Sequence, residues 1–148
     1  MVLTIITLIV LVILVIISKK RIKKIDLYST SLFAVVMAYS VDLILGEKCH
    51  LYGYFRPGVS YGDFMIFLGI YPLISMLFLN YFPFRRKARI KAVYIISWSL
   101  FSVGYEWLAV KTGLFYYNGW HLKYSAPIYP ILYLILLGHL KFAQRLQK

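Results

Sequence analysis

Five apolar runs take up most of this chain, each close to the roughly 20 residues that cross ~30 Å of hydrocarbon. They cover residues 2–18, 27–46, 64–82, 92–110 and about 124–142. Runs this long lack the period-two alternation of barrel strands. Each is therefore expected to be a helix, which satisfies its own backbone groups in lipid. The expected fold class is all-α: an integral membrane helical bundle of about five transmembrane helices. A single domain over 1–148 is expected, with an anchor helix at 1–18, a first hairpin at 25–84 and a second at 90–143. Composition agrees, because 61% of residues are hydrophobic where a soluble domain is nearer half.

The formal charge of +12 does not indicate nucleic acid. The basic residues fall in short blocks between apolar runs and form no continuous face with interleaved aromatics. Segments 19–24 and 85–91 and the tail from Lys141 hold thirteen Lys and Arg residues, against four (Lys48, Arg56, Lys111, Lys123) in the alternate connections. Such a bias orients a membrane protein, with the richer side cytoplasmic. The N-terminus is then expected outside and the C-terminus inside, in a bacterial plasma membrane. No basic residue precedes the first run and no small-x-small cleavage site follows it, so it is expected to remain as an N-out anchor facing lipid. The expected partners are the bilayer and, at the basic connections, anionic lipid head groups, worth roughly 1 kcal/mol per basic group.

Two carboxylates interrupt this pattern. Asp42 and Glu106 each lie about one turn short of the outer end of a run, and an acid in hydrocarbon faces a bundle interior, finds a partner or does work. Each ends a helical stripe of small or polar residues: Ser31, Ala34, Ala38 and Asp42 in one run, Ser99, Ser102 and Glu106 in the other. Small stripes let membrane helices approach closely. The second and fourth spans are therefore expected to pack together or around a shared cleft, with both acids at similar depth. Neighbouring acids in a low dielectric would not both ionise easily. The plain alternative is that each acid caps a loop or pairs with a base, with Arg56 and Lys111 at hand.

Ten residues after each acid a tyrosine opens an aromatic loop, at Tyr52-Gly53-Tyr54-Phe55 and Tyr116-Tyr117-Asn118-Gly119-Trp120. Each loop leads into a run containing Tyr-Pro, at Tyr71-Pro72 and Tyr129-Pro130. The four later spans therefore read as two parallel helical hairpin repeats. The candidate ligand- or proton-binding residues are Asp42, Glu106, Tyr52, Tyr116, Asn118, Trp120, Ser102 and Arg56. Interfacial aromatic belts would also account for the loop rings; the other reading is an aromatic cup above the acids, suited to a cation or an amphiphile head group.

Much chemistry is absent from the sequence. The lone Cys49 forms no internal disulfide, and His50 and His121 lack metal-ligand spacing. There is no nucleotide loop, zinc-protease box or nucleophile elbow, so neither a metal nor another cofactor is expected.

From about Tyr71 onward the chain resembles a family of small, functionally unassigned multi-spanning membrane proteins of spore-forming Firmicutes such as Bacillus and Clostridium. The carrying segments are Asn80-Tyr81-Phe82-Pro83-Phe84, Tyr105-Glu106-Trp107, Tyr117-Asn118-Gly119-Trp120 and Tyr124-Ser125 with Tyr129-Pro130. Asp42-Leu43 and Leu51-Tyr52-Gly53-Tyr54-Phe55 are similar too. The resemblance implies a bacterial plasma membrane protein and brings no activity. The acid and aromatic cluster at a hairpin mouth is also similar to repeats of bacterial lycopene cyclase domains, although their Pro-x-Glu-Glu segment is missing here. The leading expectation is a non-enzymatic protein that binds a ligand or partner in an outward cleft, or serves as a complex subunit, with room for a homodimer. The alternatives are a proton- or cation-coupled carrier using Asp42 and Glu106, and an enzyme acting on a lipid-like substrate.

Overall fold

A computed structural model of the chain describes residues 1–55 and 61–147. The protein is an all-α membrane bundle of five helices: α1 (Val2–Ile17), α2 (Lys24–Lys48), α3 (Gly62–Tyr81), α4 (Ala88–Lys111) and α5 (Leu122–Leu146). Helices α2 to α5 are each long and apolar enough to span a bilayer. Helix α1 has 16 residues, about 24 Å at 1.5 Å per residue, and is the short member. The long helices overrun the apolar runs at their basic ends, because Lys and Arg are good helix formers and their stems lie along apolar surface. Pro83 stops α3: it disfavours helical backbone at Phe82, which is extended (φ −61°, ψ 131°).

Helix α2 packs against α3 and α5, α4 packs on α5, and α1 packs on α3. The outward faces are apolar, with Leu32 and Val36 of α2, Leu68 of α3, Leu100 of α4 and Leu134 of α5 all exposed. That inside-out surface suits lipid. The packed core lies toward the basic end of the bundle, where Phe78, Leu79 and Leu140 are fully buried. The Phe78 ring sits 4.3 Å from Tyr133 and 5.8 Å from Trp98, joining α3 to α5 and α4. Tyr94 Oη donates to the Phe78 carbonyl at 2.9 Å.

Helix α1 is more than a lipid-facing anchor. Thr4 and Leu11, at i and i+7, are buried, and Leu3, Leu8 and Val15 pack beside them. Leu11 clusters with Ile66, Ile70 and Leu77 of α3 and Ala109 of α4. Thr7 Oγ1 meets Tyr105 Oη of α4 at 2.9 Å. The remaining face, including Val2, Ile9, Ile13 and Ile16, is exposed. The helix therefore lies along the seam between α3 and α4.

Polar side chains tie the basic end. Buried Asn80 accepts the Arg21 N–H at 2.7 Å and donates to the Lys19 carbonyl at 3.0 Å, which fixes the α1–α2 connection on α3. Ser18 Oγ meets Tyr81 Oη at 2.9 Å. Asp26, buried in the first turn of α2, accepts Gln144 Nε2 at 3.0 Å and Gln147 Nε2 at 2.6 Å from the end of α5. His139 stacks on Phe33 and lies 3.3 Å from Thr30 Oγ1.

At the opposite end the two hairpin loops join. Strands β1 (Tyr52–Tyr54) and β2 (Phe115–Tyr117) form an antiparallel ribbon, pairing Tyr52 with Tyr117, Gly53 with Tyr116 and Tyr54 with Phe115. Helix α4 enters β2 through a Schellman turn. The Gly113 N–H bonds to the Val110 carbonyl at 3.2 Å and the Leu114 N–H to the Ala109 carbonyl at 2.9 Å. Gly113 takes the left-handed conformation this turn requires (φ 70°). Two π-helical stretches adjoin the ribbon side of the first hairpin, Leu43–Lys48 just after Asp42 and Ile66–Ile70 just before Tyr71. Pro72 follows the second; its missing N–H removes a helical hydrogen bond there.

Asn80→Ala should strand two backbone groups at a helix junction. It is expected to lower stability by about 1–3 kcal/mol. Thermal unfolding of detergent-solubilised protein checks this, and an unchanged midpoint would contradict the tie.

Candidate functional site

The alternation of a β-ribbon decides which loop side chains reach the acids. Successive residues point to opposite faces, and cross-strand partners share one. Tyr52, Tyr54, Phe115 and Tyr117 therefore face the bundle, and Gly53 and Tyr116 face away. His50 (φ 53°) and Phe55 (φ 49°) flank β1 in left-handed backbone, a conformation costing of order 1–3 kcal/mol for each such residue. The frame over the acids is thus held against local preference.

Asp42 accepts Tyr52 Oη at 2.5 Å on Oδ1 and Tyr54 Oη at 2.9 Å on Oδ2. Tyr54 Oη also meets Tyr71 Oη at 2.8 Å. Glu106 accepts Tyr117 Oη and Ser125 Oγ on Oε1, both at 2.6 Å, and Tyr129 Oη on Oε2 at 2.6 Å. Trp120 Nε1 donates to Ser125 Oγ at 2.8 Å, extending this chain to the loop. In both hairpins the tyrosine of Tyr-Pro belongs to the cage, directly at Tyr129 and through Tyr54 at Tyr71. Hydroxyl bonds to an ionised acceptor are short, and these distances fall largely in that range.

The three ribbon phenols remain protonated donors. Burial pushes Tyr52 well above its ordinary value, with the Asp42 carboxylate and, more weakly, Glu106 adding to it. Burial also raises Tyr54, reinforced by Tyr71 and Asp42, and raises Tyr117, reinforced by its bond to Glu106. Tyr52 thus lies within electrostatic reach of both acids.

Asp42 and Glu106 line one cavity of about 210 Å³ beneath the ribbon. Its roof is Tyr52, Tyr54, Phe115 and Trp120. Ala34 and Ala38 of α2 and Ser102 and Ala109 of α4 form opposing walls, closed by α3 and α5. Helices α2 and α4 thus meet around a cavity, while their principal packing is on α3 and α5. The space reaches down to Ala34, eight residues before Asp42 and ~12 Å along the helix. The lower part is lined mainly by apolar groups such as Ile74, Leu132 and Leu136. Ser102 Oγ donates to the Trp98 carbonyl at 3.0 Å and meets Tyr133 Oη at 2.8 Å.

Among the described residues, Asp42, Glu106, Tyr52, Ser102 and Trp120 come together at this cavity. Tyr116 and Asn118 do not line it. The Tyr116 ring lies over Gly53, where any added side chain would collide with it. Asn118 braces the loops, its N–H bonding the Leu51 carbonyl at 2.7 Å and its Nδ2 the His50 carbonyl at 2.8 Å. Arg56 lies outside the described residues, and Lys111 is exposed at the end of α4. Tyr54, Tyr71, Tyr117, Ser125 and Tyr129 are the acid-holding residues absent from the sequence-derived set. The repeated Tyr-Pro was the available signal for Tyr71 and Tyr129; none marked Tyr117 over Tyr116.

The described lining contains no His, Cys, Lys or Arg, so its only ionisable groups besides tyrosines are the two acids. No group of three or more His, Cys, Asp or Glu side chains suited to a metal occurs among the described residues. Each carboxylate is surrounded by hydroxyls and aliphatic or aromatic carbon. No family model, curated protein or solved structure matches the chain.

Removing one cage hydroxyl tests this geometry. Tyr129→Phe is expected to cost about 1.5–3 kcal/mol, as for a bond to a charged group. Tyr116→Phe, away from either acid, is expected to stay within about 0.5 kcal/mol. Unfolding in detergent compares them, and equal effects would contradict the cage.

Proposed function

We propose that this chain is a non-enzymatic, multi-pass protein of a bacterial plasma membrane that binds a small amphiphilic molecule in the cavity between its two hairpins. The observation carrying this reading is the cavity's polarity along its length. One end holds the half-buried Asp42 and buried Glu106 carboxylates beneath aromatic rings, and the other is mainly apolar. Binding sites for small molecules combine apolar walls with a few placed polar groups in this way. The chain's own hydroxyls occupy the acids without neutralising them, and no His, Cys, Lys or Arg accompanies them in the described lining. The basic bias supports a cytoplasmic C-terminus and anionic lipid at the basic end, which puts the ribbon and cavity on the outer side.

Trp120 is a built-in reporter, because it lines the cavity and the other tryptophans, Trp98 and Trp107, do not. In a Trp98→Phe/Trp107→Phe background in nanodiscs, bromo-octanol is expected to quench Trp120 saturably. Ala38→Phe, which fills the wall, should remove the saturable part while helix content persists. Quenching indifferent to Ala38→Phe would contradict the reading.

Cys49 is exposed near the ribbon and is the chain's single cysteine. A membrane-impermeant maleimide is expected to label it in intact cells. Labelling only after permeabilisation would reverse the orientation.

A further inference from the structure

We propose that the cavity's ligand is an organic monocation, an alkylammonium amphiphile whose charged head lies between Asp42 and Glu106 and whose tail runs down toward Ala34 and Leu136. This rests on reading the cavity as a binding site and names what it takes.

The argument begins with hydrogen-bond supply. A carboxylate offers about four lone-pair positions. Among the described residues, two are filled on Asp42 and three on Glu106, so acceptor capacity remains on both. The five hydroxyls bonded to the acids each carry one proton, already given to a carboxylate. An incoming group must therefore donate. Ammonium has donors and no acceptor. An alcohol donates once, and an ionised carboxylate only accepts.

Charge points the same way. The described lining carries two acids and no Lys, Arg or His. Negative charge held in apolar surroundings is costly until an opposite charge reaches it. The walls at that depth are aromatic. The Tyr52 ring lies 5.0 Å from Phe115, tilted, and 5.5 Å from Trp120, edge-on, and this aromatic cluster lines the same cavity as the acids. Ring faces attract cations. A metal ion is the poorer fit, because its ligands would be two acids among neutral hydroxyls and no larger metal-ligating group exists among the described residues. The mainly apolar floor gives an alkyl tail a place that a hydrated inorganic cation would leave unused.

The test is competition in the Trp120 reporter, in phosphatidylcholine nanodiscs with empty discs subtracted. Octylamine, octanol and octanoate, matched in chain length, each compete with bromo-octanol. Octylamine is expected to displace the probe at a concentration about tenfold or more below octanol, with octanoate weakest. Asp42→Asn and Glu106→Gln should each bring the amine-to-alcohol ratio toward one. Equal potency of octylamine and octanol in the unsubstituted acid pair overturns the cation assignment and leaves the binding cavity standing. Octanoate competing best overturns it as well. If neither the probe nor any competitor binds saturably, the cavity falls as a site and takes the assignment with it.

Discussion

Solvation of two carboxylates by protein hydroxyls is the interaction on which the ribbon end of this molecule depends. A carboxylate moved from water into apolar surroundings needs donors, and a lysine or arginine would supply them with neutralising charge. Here the donors among the described residues are phenols and a serine. They come from β1 for Asp42, and from β2 and α5 for Glu106. Each acid therefore anchors the loop that follows it. Because the loops pair with each other, the two anchors support a single roof. The left-handed residues flanking β1 are tolerated because the bonds beneath it require that shape.

The rest of the bundle leaves that roof something to cover. At the basic end, Phe78, Leu79 and Leu140 fill the interior, and Asn80 and Asp26 clamp the connections. At the ribbon end, small residues on α2 and α4 face each other and the interior opens. Small residues usually bring membrane helices together. Here α3 and α5 carry the main contacts with α2, and the alanines and Ser102 become cavity walls. Helix α1 packs along the α3–α4 seam outside the cavity lining. One bundle is thus packed at its basic end and hollow at its ribbon end.

How much of this the sequence discloses depends on whether a residue's chemistry contrasts with its neighbours. Asp42 and Glu106 stand out in apolar runs, so their common end of the bundle was legible, as were the helices. The inner face of α1 was not. Only Thr4 and Thr7 mark it by contrast; its other positions are apolar, and a periodic burial pattern leaves no trace among like residues. Tyr116 and Tyr117 are chemically the same residue, and only the strand register separates the one over Gly53 from the one holding Glu106. The ribbon itself joins segments far apart in sequence, and its three-residue strands carry no periodicity of their own. Asp26 reads as part of a basic connection; its burial depends on Gln144 and Gln147, which reach it only once α2 and α5 pack.

The central claim is that the two hairpins close over their acids through one shared ribbon, and cross-linking at its middle pair tests it most directly. Gly53 and Tyr116 are register partners, and neither holds an acid. Facing residues of an antiparallel pair lie within the Cα separation that a disulfide bridges. In a Cys49→Ser background, Gly53→Cys/Tyr116→Cys should form an intramolecular disulfide in membranes under mild oxidation, seen as a mobility shift reversed by reductant. A pair that stays reduced while each cysteine remains reactive to maleimide would contradict the shared roof.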